Sequence, residues 1–360
     1  MNASQPAPRA TLSLIPPYHP GKRVTGAVKL SSNENPLGCS DRAREAVISA
    51  MREPEVYPDG RGTALVEELA QLHGVTPEQV ILGNGSDDIM IMAAASFIEP
   101  GTDSVMAAPT FSQYEFAVRL YGGDVLQVPL VDGVHDLEAM LQAVSAKTRI
   151  VWLCNPNNPT GTYISHSDVE RFLQRIPGHV LVVLDEAYAE FATAADYPDS
   201  QSLLKAYSNL LILRTFSKIH GLAALRLGFG MTSAATVEYF LRVKQPFNVN
   251  APAQAAGLAA VRDTEFVERS LQVNREGMLY VTGELDRLQL DYYPSQTNFV
   301  CIQLPTTGRE AYKLLLKHGI TVRDLASFGL ERSIRVSIGS MDALQALVRG
   351  LGELCELAGR

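Results

Sequence analysis

Long apolar runs, blocks of like charge, paired cysteines and metal-spaced histidines are all missing from this chain. The first twenty residues, MNASQPAPRATLSLIPPYHP, hold several prolines and no long apolar stretch, so neither a signal peptide nor a membrane span is expected. The formal net charge of −8 is dispersed, which argues against a nucleic-acid footprint and against an anionic membrane surface. Four cysteines, Cys39, Cys154, Cys301 and Cys355, lie far apart with no CxxC pair, which suits a reducing, cytoplasmic setting. None of the seven histidines forms HExxH, so a zinc enzyme is not expected. There is no GxxxxGK[ST] loop, and GNGSDD at 83–88 carries Asp88 where the third glycine of GxGxxG belongs. ATP hydrolysis and a dinucleotide site are both disfavoured.

What is present is an ordinary globular composition. With 360 residues, 46% of them hydrophobic, the chain can bury a large core and has room for one large and one small domain. Pro16, Pro17 and Pro20 predict an extended N-terminal arm. Apolar strand-like runs then alternate with helical stretches: strands at 80–82, 104–108, 125–128, 150–154, 180–184, 210–213 and 225–229, and helices at 64–73, after GNGSDD through Phe97, and at 111–121, 137–144 and 167–175. That rhythm predicts a mostly parallel central sheet sandwiched by helices. Beyond residue 262 the pattern changes to long helices (263–288, 308–318) and alternating strands (298–304, 333–338), the signature of a smaller α+β domain. The expected division is an arm at 1–30, a large domain at 31–262 and a small domain at 263–360.

The stretch that organises the rest is LLILRTFSKIHGLAALRLGF at 210–229. Its first apolar run stops at a polar knot that places Lys218 just beyond a strand's carboxyl end, where open α/β sheets bind ligands. A lone loop lysine is usually just solvated. Other groups change that weighting. Cys154-Asn155-Pro156-Asn157-Asn158-Pro159-Thr160-Gly161 ends another strand with turn chemistry able to hold an asparagine amide rigidly, and Asp185-Glu186-Ala187-Tyr188 puts an acid at the end of a third. Gly85 and Ser86 lie between a strand and a helix, where backbone amides favour an anion, although a plain turn would read the same way.

Pyridoxal phosphate uses all of these parts. It needs a lysine for a Schiff base, an acid beside its ring nitrogen, hydrogen bonds to its ring oxygen, a stacking face and a phosphate cup. Lys218 supplies the amine, Asp185 the acid, Asn158 and Tyr188 the oxygen contacts and Phe111 the stacking ring. Gly85, Ser86, Ser217 and Arg226 supply the cup.

These motifs also resemble the fold-type-I pyridoxal-phosphate aminotransferases, and within them the histidinol-phosphate aminotransferase family. The resemblance runs from Pro17-Tyr18 through NENP at 33–36, YPDG at 57–60, Gly83 to Asp88, PTF at 109–111, NPNNPTG at 155–161, DEAY at 185–188, RTFSK at 214–218 and LRLGF at 225–229 to VRD at 322–324 and IRVSIG at 334–339. It implies that Lys218 bonds the cofactor and then shuttles a proton, that Asp185 pairs with the ring nitrogen, and that Asp87 and Thr215 join the cofactor site. Tyr57 is implied to reach the phosphate from the partner subunit of a homodimer. Arg335 is implied to grip the α-carboxylate of glutamate or the phosphate of histidinol phosphate, with Tyr18, Asn33, Asn158 and Arg323 completing the substrate site. The implied activity is amino transfer between histidinol phosphate and 2-oxoglutarate in histidine biosynthesis. Aromatic amino-acid transamination, phospho-amino-acid decarboxylation and a non-catalytic binding domain are the alternatives.

Ile219-His220 and the short loop between the arm and Asn33 depart from the family pattern. Ile219-His220 replaces a small residue followed by an aromatic one, and His220 reads as a packing substitution before an extra phosphate contact. On strand 334–338 the apolar face is Ile334, Val336 and Ile338, which leaves Arg335 on the opposite face, by default a solvated one.

Overall fold

Strands that are apolar on both faces must be covered on both faces, and that requirement shapes the molecule. The computed structural model describes residues 6–17 and 24–359. In chain order its strands are β1 (Val28–Lys29), β2 (Val80–Gly83), β3 (Asp103–Ala108), β4 (Asp124–Pro129), β5 (Thr148–Cys154), β6 (Leu181–Asp185), β7 (Leu210–Thr215) and β8 (Gly228–Met231). The later ones are β9 (Phe299–Gln303), β10 (Ile320–Thr321), β11 (Arg323–Asp324) and β12 (Ser333–Ser337).

Seven strands form the main sheet in the order β2-β8-β7-β6-β5-β3-β4. β3 to β7 run parallel, whereas β8 is antiparallel to both β2 and β7. Alternate residues of each central strand enter different cores. Val182 and Leu184 join Ile212 and Phe216 on one face, while Leu181 and Val183 join Trp152, Leu211 and the helix Ser86–Phe97 on the other. Each such fully buried aliphatic side chain contributes about 1.5–3 kcal/mol relative to exposure.

A second cluster contains Val281, Leu285, Val300, Ile302, Leu315, Val336 and Leu347, together with Leu30. It lies between the antiparallel sheet β11-β12-β9 and the helices Thr264–Arg287, Gly308–Lys317 and Met341–Leu357. Side-chain caps set these helix starts: Asp263 accepts from the Phe266 amide, and Thr307 with Glu310 forms a reciprocal capping box. β1 pairs parallel with β10, Val28 opposite Ile320, which fastens the N-terminal segment to this second unit.

Three differences from the sequence reading have physical causes. The run at 225–229 is not one strand: a 3-10 turn (Ala223–Leu225) and a left-handed Arg226 (φ 53°) precede β8. The N-terminal segment is not wholly extended, because Ala10–Leu14 forms a 3-10 turn ahead of Pro16. The helices Ser200–Ala206, Ala234–Val243 and Ala251–Val261 are absent from that reading. The last has a legible start, with Asn250 as its cap and a proline in its first turn.

Candidate active site

The carboxyl ends of β5, β6 and β7 converge, and the residues that follow them line one cavity of about 290 Å³. Lys218 stands in the loop after β7, where the Ser217 amide donates to Thr215 Oγ1 (3.1 Å) and the Gly221 amide to the Lys218 carbonyl (3.0 Å). Its Nζ donates to the Ser32 carbonyl (3.2 Å) and sits 5.6 Å from the centre of the Tyr188 ring. Burial, followed by the nearby Arg335 guanidinium, pulls the Lys218 amine down to about 8, with Asp87 and Glu34 opposing. A useful fraction of the amine is therefore neutral near physiological pH.

Asp185, the last residue of β6, is 3% exposed. Burial raises its carboxyl to about 6, against hydrogen bonds from the Tyr114 hydroxyl to Oδ2 (2.6 Å) and from the Ala187 amide to Oδ1 (3.1 Å). A buried acid at that value pairs readily with a cationic ring nitrogen. The next residue, Glu186, is wholly buried and held by Arg214 of β7 (2.7 Å) and by the Ser200 hydroxyl (2.6 Å), and Arg214 also reaches Glu190 (3.0 Å). This network clamps β6 to β7 directly behind Asp185 and the Lys218 loop.

Asn158 and Tyr188 line the cavity together with Lys218. Asn158 Oδ1 accepts from Arg335, which also donates to the Ser31 carbonyl (3.0 Å) and lies over the Phe299 ring at 5.2 Å. Tyr188 accepts at its hydroxyl from Asn33 Nδ2 (2.9 Å), and burial pushes its phenol up to about 12, so it stays a neutral donor. Asn33, left-handed at φ 57°, is bound at Oδ1 by the Ser337 hydroxyl (3.0 Å) and through its amide to Ser337 Oγ (2.7 Å). Arg335 is 7% exposed and lines the cavity. Its strand therefore has no solvated face, because the N-terminal segment and the NPNNPTG loop cover the side opposite the apolar stripe.

The anion end of the cavity is formed by Ser86, Asp87, Ser217 and Arg226. Arg226 donates to Ser217 Oγ (3.3 Å) and pairs with Asp87 (3.2 Å), at the first turn of the helix Ser86–Phe97. Gly85 caps that helix at φ 83°, and a methyl there would collide with the Arg226 guanidinium. Backbone amides at a helix start, a guanidinium and two hydroxyls at one point have the chemistry to hold a phosphate. Thr215, Phe111 and Arg323 also line the cavity, the last 6.0 Å from the Phe328 ring.

Tyr57 is 78% exposed and stacks on Phe247 (4.7 Å), away from its own chain's cavity. Tyr18 lies outside the described residues. His220 packs against the Phe216 ring at 5.0 Å and does not line the cavity, so the packing reading holds over a phosphate contact. The sequence reading also missed Tyr114, although its place one helical turn beyond Phe111 was a signal, and it missed Phe328 and the Ser32 carbonyl.

Residues 25–351 match the family described as "Aminotransferase class I and II". The chain belongs to the class I and II aminotransferases. This aminotransferase is 44% identical to the histidinol-phosphate aminotransferase of Geobacillus sp. (strain WCH70), over 94% of its own length and 96% of the relative's. The corresponding protein of Brevibacillus brevis is 43% identical, over 96% and 98%. Among solved structures, the histidinol-phosphate aminotransferase of Sinorhizobium meliloti in complex with pyridoxal-5'-phosphate superposes with a TM-score of 0.89 at 26% identity, covering 99% of both chains. Fold, family and cavity agree.

Proposed function

We propose that the aminotransferase uses pyridoxal phosphate to exchange an amino group between histidinol phosphate and 2-oxoglutarate, giving imidazole-acetol phosphate and glutamate. The observation that carries this is one cavity holding a lysine amine lowered to about 8, a buried acid raised to about 6 and three arginines, Arg226, Arg323 and Arg335. The named relatives at 43–44% identity support the choice of substrate. The residues fit the cofactor: the Gly85 turn leaves room for the Arg226 guanidinium at a helix start, and Asp185 is an acid with a donor on each oxygen.

Pyridoxal phosphate, when bound, supplies an electron sink for the substrate carbon that bears the amine. Lys218 would hold it through Nζ, and its amine would be the group that moves the proton at that carbon. Asp185 keeps a proton on the ring nitrogen, and Asn158 and Tyr188 orient the ring oxygen. Phe111 covers one ring face. Gly85, Ser86, Asp87, Thr215, Ser217 and Arg226 hold the phosphate end. Arg335 binds the α-carboxylate of glutamate or the substrate phosphate with a planar fork suited to either, beside Asn33 and Arg323. The acting unit is a cytoplasmic homodimer in which Tyr57 serves the partner's site, and each chain divides into a large domain at 31–262 and a small one at 263–360.

The aromatic walls Phe111 and Phe328 favour a second reading, transamination of phenylalanine or tyrosine. Initial rates with histidinol phosphate and with those amino acids separate the two: preference for the phosphate ester is expected, and preference for phenylalanine would replace the first reading with the second. The cofactor is tested by the visible absorption of the purified protein, which should lose its yellow band in Lys218→Ala.

A further inference from the structure

A hydroxyl outside the cavity touches the acid inside it. Tyr114 lies in the helix Gln113–Leu120, is 0% exposed, and donates from its phenol to Asp185 Oδ2 at 2.6 Å. Its ring is fixed by stacking on Trp152 at 4.9 Å and by an edge contact with Phe111 at 5.6 Å. Trp152 is itself tied by its indole nitrogen to Ser104 Oγ (2.8 Å), which donates to the Ile150 carbonyl (2.8 Å). The phenol therefore has no freedom to turn away, and Asp185 meets a rigid donor.

The geometry points to Tyr114 as a positioning residue that holds Asp185 as a carboxylate aimed at the cofactor's ring nitrogen, and so decides which of the two carries the shared proton. This rests on the pyridoxal-phosphate reading above. A carboxylate in a dry site without enough donors becomes basic enough to take the proton from a pyridine nitrogen, leaving a neutral acid beside a neutral ring. A neutral ring withdraws electrons poorly. Donation from Tyr114 stabilises the carboxylate and leaves the proton on nitrogen. The other titratable groups facing Asp185 are Cys154 at the end of β5, Asp87, Glu186 and the Tyr188 phenol, which burial keeps neutral. Burial raises the Cys154 thiol to about 12 and the Tyr114 phenol well above its ordinary value, so both stay neutral, and the Cys154 thiol is directed at the Pro156 carbonyl (3.5 Å). Tyr114 is the neutral donor to Oδ2 and the Ala187 amide the donor to Oδ1.

The test uses the holoenzyme loaded with pyridoxal phosphate labelled with nitrogen-15 at the ring. In Tyr114→Phe the ring resonance should move toward the unprotonated pyridine position. The cofactor dissociation constant should rise and kcat should fall, each by about tenfold, with KM for the amino donor within about twofold. A purely structural role would leave the nitrogen resonance where it is. Should the Phe variant fold poorly, fluorotyrosines of graded acidity at 114 give a second series, in which stronger donors keep the ring protonated. A ring resonance indifferent to both the Phe variant and the fluorotyrosine series overturns the inference. Failure of the cofactor reading is distinguishable, because the wild-type protein would then show no visible band at all.

Discussion

Arg335 donates to Asn158 across 177 residues of sequence, so the group proposed to grip the substrate's anion is bonded to the group proposed to orient the cofactor's ring. Substrate binding and ring orientation thus share one guanidinium.

Arg335→Lys should therefore damage more than charge. A lysine keeps the positive charge but cannot reach both Asn158 and an incoming carboxylate with a planar fork. KM for glutamate is expected to rise roughly 10- to 100-fold, the range for loss of a charge-assisted hydrogen bond. Steady-state kinetics check it, and an unchanged KM would remove Arg335 from the substrate site.

Gly85→Ala forces a methyl into the Arg226 guanidinium and places alanine at φ 83°. Backbone strain of this kind costs about 1–3 kcal/mol. Cofactor affinity should fall by tenfold or more, measured by equilibrium dialysis against pyridoxal phosphate, with the proton-transfer step less affected once the site is saturated.

The Glu186–Arg214 pair is buried and hydrogen-bonded, and removing one partner strands the other. Arg214→Met is expected to destabilise the fold by about 3–5 kcal/mol. Chemical denaturation measures it. A loss under about 1 kcal/mol would mean that the network does not clamp β6 to β7.

In cofactor-free protein, Asp185 binds its proton more tightly when folded, at about 6, than unfolded, at 3.8. Between those values the folded state holds more protons, so stability falls as pH rises from about 4 to about 6, by about 3 kcal/mol in total. Asp185→Asn should lack this slope. Urea titrations of both proteins across that window check the sign.

If Tyr57 serves the partner's site, mixing Tyr57→Ala and Lys218→Ala chains should restore activity. A mixed dimer holds one site with an intact lysine and an intact tyrosine from the other chain. No recovery after subunit exchange would place Tyr57 outside the catalytic unit.

Much of the site was legible because each group follows a strand that the hydrophobic pattern announces: Lys218 after 210–213, Asp185 after 180–184, Asn158 after 150–154. Arg335 was legible as a position and not as an environment. Alternation fixes which face it occupies, but only long-range packing of Ser31 and Asn158 against that face turns it from solvent to cavity. Arg226 was placed on a strand because its neighbours are apolar, and in fact it turns the chain in a left-handed conformation. The antiparallel course of β8 and the two-residue pairing of β1 with β10 depend on partners far away in sequence and leave almost no local trace.

The bond from Ser337 to Asn33, and from Asn33 on to Tyr188, ties the opening segment of the chain to its last described strand. A nascent polypeptide on the ribosome therefore lacks a finished pocket until more than nine-tenths of it has been synthesised, and shortening the protein from its carboxyl end by a single helix and strand would erase the site outright.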